Sequence, residues 1–367
     1  MGNSGLSLRF IIVLCLFITT WQIFLLSLHH QQPSESSTRK RSTGDNSPPN
    51  KPLPTPRSQT VAFNRTCVEN PYLSALTRTP ESIGFYMDRW VSPKYIEAYL
   101  NQAKTVRNKL HGLFFPFAPL VNCNTSCIGG SCGDDEAKLM CGVNQLSEDG
   151  CIVYSIGGNN LWQFELDLLE QTQCEIHTFD CTGPISRFQK PDNPRLHFHH
   201  VCIGTEHQPA DVVLDKNSGE CMFKHYSEGK VVKIQKCGET WTLAEMQQRL
   251  GHSRIDLFKI DTEGWEWPLF ESWPLLSDRD ASSSILLPMQ ILVEVHFKTK
   301  FPELQKVKGE TQFKSAADLV HLNERFIRMG YAVVSRKNNP FCGHCSELTL
   351  VRLRCPSDGV YGSIAKS

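Results

Sequence analysis

The chain has 367 residues, of which 40% are hydrophobic and 21% charged, so it can bury one large core or two ordinary ones. Its 38 basic and 38 acidic side chains balance, which argues against a dedicated nucleic-acid binder, because such proteins usually carry a basic excess. The 15 cysteines exclude an ordinary cytosolic enzyme and indicate a globular protein that matures in an oxidising compartment.

The N-terminal region predicts a membrane anchor. Residues 1–9 form a short cytoplasmic tail, and the uncharged apolar run 10–28 predicts a helix about 28 Å long, close to the thickness of a bilayer core. No small-residue cleavage pattern follows the run, which favours an uncleaved signal anchor; a cleaved signal, giving a secreted protein, is the alternative. Residues 29–61 are rich in Pro and Ser and predict a disordered stem.

Two sequons support a lumenal domain. Asn64 and Asn124 each begin an Asn-x-Ser/Thr pattern that can accept an N-glycan. Together with the cysteines, they predict a single-pass type II membrane protein of the Golgi or endoplasmic reticulum whose C-terminal domain lies in the lumen.

Residues 62–150 predict a Cys-rich extension. Segment 92–110 has helical character, and Cys123, Cys127, Cys132 and Cys141 follow it among glycines. Zinc binding is one use of such cysteines, but an oxidising lumen favours disulfides, whose pairing the sequence does not give. The CxxC of Cys342 and Cys345 is likewise expected to be disulfide-bonded.

Residues 151–355 alternate between short apolar strands and helical segments, and residues 356–367 form a tail. Such βα units imply an α/β fold with a mostly parallel sheet. Only a short Cys-containing loop separates the last two strands, which predicts an antiparallel hairpin at the sheet edge. The expected strands are 151–156, 175–180, 196–203, 255–260, 290–297, 331–336 and 346–353, and the expected helices are 160–172, 242–250, 264–272 and 314–329.

Two sites at predicted strand ends indicate a nucleoside-containing cofactor. Gly157 and Gly158 follow the first strand, and glycines there let a ligand approach the backbone closely. Asp180 ends the next strand, where a carboxylate can accept hydrogen bonds from ribose hydroxyls. A third signal is Asp261 and Glu263 after strand 255–260, placed to hold an amino group or take a proton.

The order and spacing of these motifs resemble a known family. KIDTEGWEW (259–267) resembles the Lys-Ile-Asp-x-Glu-Gly-x-Glu segment of FkbM-type methyltransferases. With YSIGGNNLWQFE (154–165), HTFDCTGP (177–184) and LHFHHVCIG (196–204), the chain is most similar to the methyltransferase-like protein 24 family of FkbM-related enzymes, over about residues 80–355.

The resemblance implies a class I methyltransferase that uses S-adenosyl-L-methionine, with a Rossmann-like sheet of seven strands, one of them reversed. It implies that Asp180 holds the ribose hydroxyls, that Gly204 lies near the adenine and that Asp261 faces the methionine end. The methionine and ribose side would be lined by Ser155, Gly157, Gly158 and Asn159.

Catalysis is expected to involve the same sheet edge. Glu263, Glu294 and His296 are candidate bases for deprotonating an acceptor hydroxyl, and we retain Glu263 and His296. No carboxylate set predicts a Mg²⁺ site. His197 and His199 share one face of a strand, where packing is favoured over metal binding, so no metal is predicted.

These observations predict O-methyl transfer to a small-molecule or glycan acceptor. An inactive lumenal or extracellular interaction domain on the same fold is the alternative. A nicotinamide oxidoreductase is a third possibility, but the chain lacks Gly-x-Gly-x-x-Gly after the first strand.

Overall fold

The computed structural model describes residues 70–106, 110–146, 150–207, 238–278, 285–298 and 313–355. The predicted cytoplasmic tail, anchor, stem and C-terminal tail lie outside these residues, as does the sequon at Asn64. Within the described ranges, no helix combines the length and the apolar character needed to cross a bilayer.

The strands begin and end close to the predicted positions. In chain order they are β1 Thr125–Ile128, β2 Lys138–Cys141, β3 Ile152–Ile156, β4 Glu175–Phe179, β5 Leu196–His199, β6 Val201–Ile203, β7 Glu239–Trp241, β8 Leu257–Ile260, β9 Gln290–His296, β10 Tyr331–Asn338 and β11 Cys345–Arg352.

Three of the described α-helices begin at a side-chain cap, one of them at Thr79. Thr242 and Glu245 form a reciprocal capping box on one helix, and Ser315 and Asp318 form another. In chain order the α-helices are α1 Pro80–Trp90, α2 Pro93–Thr105, α3 Gln163–Gln171, α4 Leu243–Leu250, α5 Glu266–Ser272 and α6 Ala316–Arg328. The helix expected over 92–110 therefore ends at Thr105, and a 3₁₀ helix follows at Leu110–Phe117.

The main sheet has seven strands in the order β10-β11-β9-β8-β3-β4-β5. Strands β9, β8, β3, β4 and β5 pair in parallel, whereas β11 is antiparallel to both β9 and β10. The predicted fold, including the terminal hairpin and the single reversed strand, is thus confirmed. The carboxyl ends of the parallel strands meet at one edge, where ligands bind in open α/β sheets.

Helices cover both faces of the sheet. Successive residues of each strand point to opposite faces, so both faces carry apolar side chains that the helices bury. On one face Tyr154 and Ile156 pack in a cluster with Met246 of α4 and Phe270 of α5. On the other face Val153 packs in a cluster with residues of α3 and of the extension, including Phe164, Leu168, Tyr72 and Met87. The Cys-rich extension therefore shares a hydrophobic core with the sheet.

The structure joins the four described cysteines of the extension in disulfides, as the sequence favours. It also joins Cys342 to Cys345 in the hairpin loop, as expected. The other pairs with both cysteines described are Cys123–Cys141, Cys127–Cys132, Cys151–Cys174 and Cys181–Cys202.

The strand expected over 196–203 is in fact two strands. Only β5 joins the main sheet, whereas β6 pairs in parallel with β7 in a separate two-stranded sheet. The chain leaves the main sheet at His200, whose Nε2 lies 2.8 Å from the carbonyl oxygen of Gly183. The disulfide from Cys202 to Cys181 then ties β6 to the loop after β4.

Candidate functional site

The loop after β3 requires glycine at its first position. Gly157 has a φ of 78°, and a Cβ there would lie 2.0 Å from the main-chain oxygen of Asp261 after β8. Asn159 and Asn160 also adopt left-handed conformations, with φ values of 50° and 64°. Lys259 donates to the oxygen of Gly157 at 3.2 Å, which holds the loop against β8. The structure thus brings the predicted loop and Asp261 together.

A buried polar region lies beneath this loop. Ser155 is fully buried, and within the described part of the chain its Oγ has no hydrogen-bond partner. Glu165 of α3 is also buried; its Oε1 accepts from Thr178 at 3.4 Å, and a Cβ on Gly158 would lie 3.9 Å from this oxygen. Because unpaired buried hydroxyls are costly, Ser155 offers a hydrogen bond to a ligand.

Asp180 follows β4 and anchors the loop. Its Oδ2 accepts from the backbone N–H of Asn159 at 2.7 Å, and its Oδ1 accepts from the N–H of Thr182 at 2.8 Å and from the Thr182 hydroxyl at 2.5 Å. A carboxylate has about four acceptor positions. The three bonds leave one position for a ligand hydroxyl, and a second becomes available if the Thr182 hydroxyl turns away.

Arg187, which no sequence motif indicated, joins the two loops that carry these residues. One guanidinium nitrogen donates to the Thr182 oxygen at 2.9 Å, and the other contacts the Asn159 side chain. The guanidinium therefore fixes the spacing between the glycine loop and the turn after Asp180.

Gly204 lies at the end of β6 rather than at the end of a main-sheet strand. Its N–H donates to the Trp241 oxygen at 2.9 Å, and a Cβ there would lie 2.2 Å from Thr240 Cγ2. Glycine is therefore required by the packing of β6 against β7. The predicted contact with adenine stays a prediction.

On the other side of the glycine loop, the same edge of the sheet carries an acidic cluster around one buried lysine. Lys138 of β2 places its Nζ 3.2 Å from Asp261 Oδ2 and 4.0 Å from Glu294 Oε2, and it also contacts Glu347 Oε1 of β11. Oxygens of the three acids lie close enough together to suit a metal ion. The ammonium already contacts all three, so a divalent cation would meet its repulsion.

Burial and the neighbouring charges determine which carboxyl groups of this cluster are ionised at neutral pH. Burial opposes ionisation of Asp261, but Lys138, Lys259 and His296 outweigh it and hold the Asp261 pKa well below its usual range. Burial, together with Asp261 and Glu347, raises the pKa of Glu294 to about 9. At neutral pH the cluster therefore holds an ionised Asp261, paired with Lys138, beside a protonated Glu294.

His296 ends β9 among three further carboxylates. Its ring lies 3.2 Å from Glu266 Oε1, 3.4 Å from Glu263 Oε2 and 3.7 Å from Glu294 Oε2. Burial alone would lower its pKa, but the charge of Glu266 and its hydrogen bond to the ring outweigh burial and raise the pKa to about 10, with a smaller contribution from Glu263. The imidazolium form is therefore favoured at neutral pH, and in that form the ring cannot accept a proton.

Glu263 is the more accessible carboxylate of this group. Its side chain is 33% exposed, and its backbone adopts a φ of 56°, which is uncommon for a residue other than glycine. Asp261 is 25% exposed but is paired with Lys138. The structure thus brings together both predicted catalytic residues, with Glu263 toward solvent and His296 behind it.

The ionisation of His296 predicts a pH dependence of stability. Because its pKa is raised in the folded state, its contribution is full below the unfolded value near 6.5 and is lost as pH rises to about 10. The free energy of unfolding should fall by at most about 1.4 kcal/mol per pH unit across this window. Urea unfolding of wild type, His296→Gln and the exposed control His321→Gln would test this; equal slopes for wild type and His296→Gln would contradict it.

Comparison with known proteins adds one result. A family model described as a methyltransferase domain matches residues 94–352, which include the extension from α2 onward and the whole seven-stranded sheet. No curated protein matches the chain.

Proposed function

Because this chain belongs to the methyltransferase-domain family, we propose that it transfers a methyl group from S-adenosylmethionine to an oxygen of a small hydroxylated molecule or glycan. The observation that best supports this is the meeting of Gly157, Asp180 and Asp261 at one sheet edge. Within the family, the segment KIDTEGWEW favours a place among the FkbM-related enzymes and the methyltransferase-like protein 24 group.

The residues at this edge suit a nucleoside cofactor. The remaining acceptor position on Asp180 would take a ribose hydroxyl, and the buried hydroxyl of Ser155, which has no partner among the described residues, would supply a further polar contact. Asp261 would face the cationic amino group of the methionine end. S-adenosylmethionine supplies a methyl group activated by its sulfonium centre, so positioning accounts for much of the rate.

We assign the proton transfer to Glu263. It is the accessible carboxylate beside the site, whereas Glu294 is buried and holds a proton at neutral pH. His296 then acts as a positioning residue, because its charged ring lies 3.4 Å from Glu263 Oε2. A carboxylate held in this way would take the proton that the acceptor hydroxyl loses on methylation.

Glu263→Gln should therefore slow methyl transfer. We expect kcat to fall by about 100- to 10,000-fold, as for loss of a general base, while the cofactor Kd stays unchanged. Release of S-adenosylhomocysteine with a panel of hydroxylated metabolites and glycans would first identify an acceptor and then give kcat. Glu271→Gln on α5, whose side chain is 61% exposed, is the matched control. Full activity in Glu263→Gln would exclude the role of base.

We also propose a lumenal, membrane-anchored location. Several disulfides and the exposed sequon at Asn124 support it. Expressed in cells, the chain should carry a glycan at Asn124 that a glycosidase removes, with a mobility shift on gels. Asn124→Gln and Ser126→Ala should both lose this modification. Identical mobility of wild type and both variants would contradict the assignment.

The cofactor assignment is tested by calorimetry. The full-length protein is titrated with S-adenosylmethionine and S-adenosylhomocysteine, with NADH as the comparison. Micromolar binding of the first two alone would support the methyltransferase. No binding by the folded, disulfide-bonded protein would overturn it and favour an interaction domain on the same fold, whereas binding of NADH alone would favour an oxidoreductase.

A further inference from the structure

A group of imidazoles lies on the sheet away from the acidic cluster. His177 of β4 and His197 of β5 are paired in the strand register, and His252 follows α4 on the same face. The ring centroid of His177 lies 4.8 Å from that of His197 and 4.6 Å from that of His252. Glu175, at the start of β4, adds a carboxylate to the group.

The donor atoms of these residues converge. Glu175 Oε1 lies 3.2 Å from His177 Nε2 and 3.0 Å from His197 Nε2. One donor atom each of Glu175, His177 and His252 lie within 4.8 Å of one another. Donor atoms around a tetrahedral Zn²⁺ are separated by about 3.3–3.5 Å, given bonds of about 2.0–2.1 Å. The separations among Glu175, His177 and His252 would need to close by about 1.5 Å at most to match this geometry.

Two of the rings are held by hydrogen bonds from the opposite side. His177 Nδ1 lies 3.0 Å from His199 Nε2, and His252 Nδ1 lies 2.8 Å from the hydroxyl of Tyr154. In each ring Nε2 is then the nitrogen left to bind a ligand. Metal-binding histidines are usually oriented in this way through their second nitrogen.

The environment of His177 also favours a ligand. The ring is buried, yet within the described residues its Nε2 makes no well-directed hydrogen bond, although Glu175 is near. Burial, and then the neighbouring His252, His199 and His197, lower the pKa of His177 to about 3. Neutral imidazole is the form that coordinates metals.

We propose that Glu175, His177, His197 and His252 bind one Zn²⁺ ion. Three imidazoles and a carboxylate suit this metal. The side chains of His197 and Glu175 are 40% and 44% exposed, which gives the ion a path from solvent. The ion would join β4, β5 and the turn after α4, and so fix the strand that ends at Asp180. Packing of stacked imidazoles without a metal is the alternative.

The experiment uses full-length protein stripped with a chelator and titrated with Zn²⁺ alone, with metal content measured after dialysis. Co²⁺ substitution should give the intense visible bands of a tetrahedral site. We expect one ion per chain in wild type and in His321→Ala, an exposed histidine on α6. Glu175→Gln and His197→Ala, which change partly exposed residues, should weaken binding at least about tenfold.

Tyr154→Phe provides a second test, because it removes only the hydroxyl that holds His252. Loss of such a partner typically weakens metal binding about 10- to 100-fold. Failure of the folded wild-type protein to bind Zn²⁺ would overturn the proposal. Binding that is equally tight in Glu175→Gln and His197→Ala would place the ion elsewhere and overturn it too.

Discussion

Asp180→Ala is expected to raise the Kd for S-adenosylmethionine at least about tenfold, because a hydrogen bond to a charged group contributes about 1.5–3 kcal/mol. The carboxylate also holds the N–H groups of Asn159 and Thr182, so its loss loosens the glycine loop. Calorimetry gives the Kd, and near-ultraviolet circular dichroism shows whether the variant stays folded.

Two controls make this result specific. Asp192→Ala removes an exposed carboxylate from the loop before β5 and should bind the cofactor like wild type. Thr182→Val removes a donor and so opens an acceptor position on Asp180, and it should bind no more weakly than wild type. Wild-type affinity in a folded Asp180→Ala variant would exclude this carboxylate from the cofactor site.

Lys138→Met is expected to destabilise the fold by about 3–5 kcal/mol at neutral pH, because it leaves buried carboxylates without their cation. Lys138 lies near Asp261, Glu294 and Glu347. In wild type the lowered pKa of Asp261 gives stability that is present at neutral pH and is lost as pH falls. The deficit of the variant should therefore shrink in acid, where the carboxylates are protonated.

Urea unfolding at several pH values measures this effect. Lys337→Met is the matched control, because this half-buried lysine of β10 donates to the main-chain oxygens of Asp134 and Ala137 rather than to a carboxylate among the described residues. Adding Asp261→Asn to Lys138→Met should recover part of the lost stability, since it removes the unpaired charge. A Lys138→Met variant as stable as Lys337→Met would show that Lys138 does not stabilise the buried carboxylates around it.

The sheet was predictable because its strands are short, mainly apolar runs, such as residues 151–156, that are bounded by turn residues and alternate with helical segments. The glycine loop was predictable for a local reason, since two consecutive glycines after an apolar strand indicate a turn that other residues rarely adopt. Its contact with the backbone of Asp261 became visible only in the structure. The departure of the chain from the main sheet at His200 was not predictable from the sequence, because it depends on the pairing of β6 with β7, almost 40 residues later.

Residues whose role depends on distant segments could not be found from the sequence. Lys138 follows a run of acidic residues and has the local pattern of an exposed lysine. It is buried only because β2 packs against β9 and β11, where Gln290 bonds to both backbone groups of Cys141. The proton held on Glu294 also follows from this packing, since it requires Asp261 and Glu347 as neighbours.

The described disulfides join cysteines that are near one another in the chain, with separations of 18, 5, 23, 21 and 3 residues. All eight cysteines of the first four disulfides lie at or before Cys202 and so precede β8, β9, β10 and β11 in the chain. Closing a loop of about 20 residues stabilises a fold by roughly 3 kcal/mol in the chain-entropy model. In the lumenal location proposed above, the segment that carries Asp180 would therefore be cross-linked before the strands that carry Asp261, Glu294 and Glu347 enter the lumen.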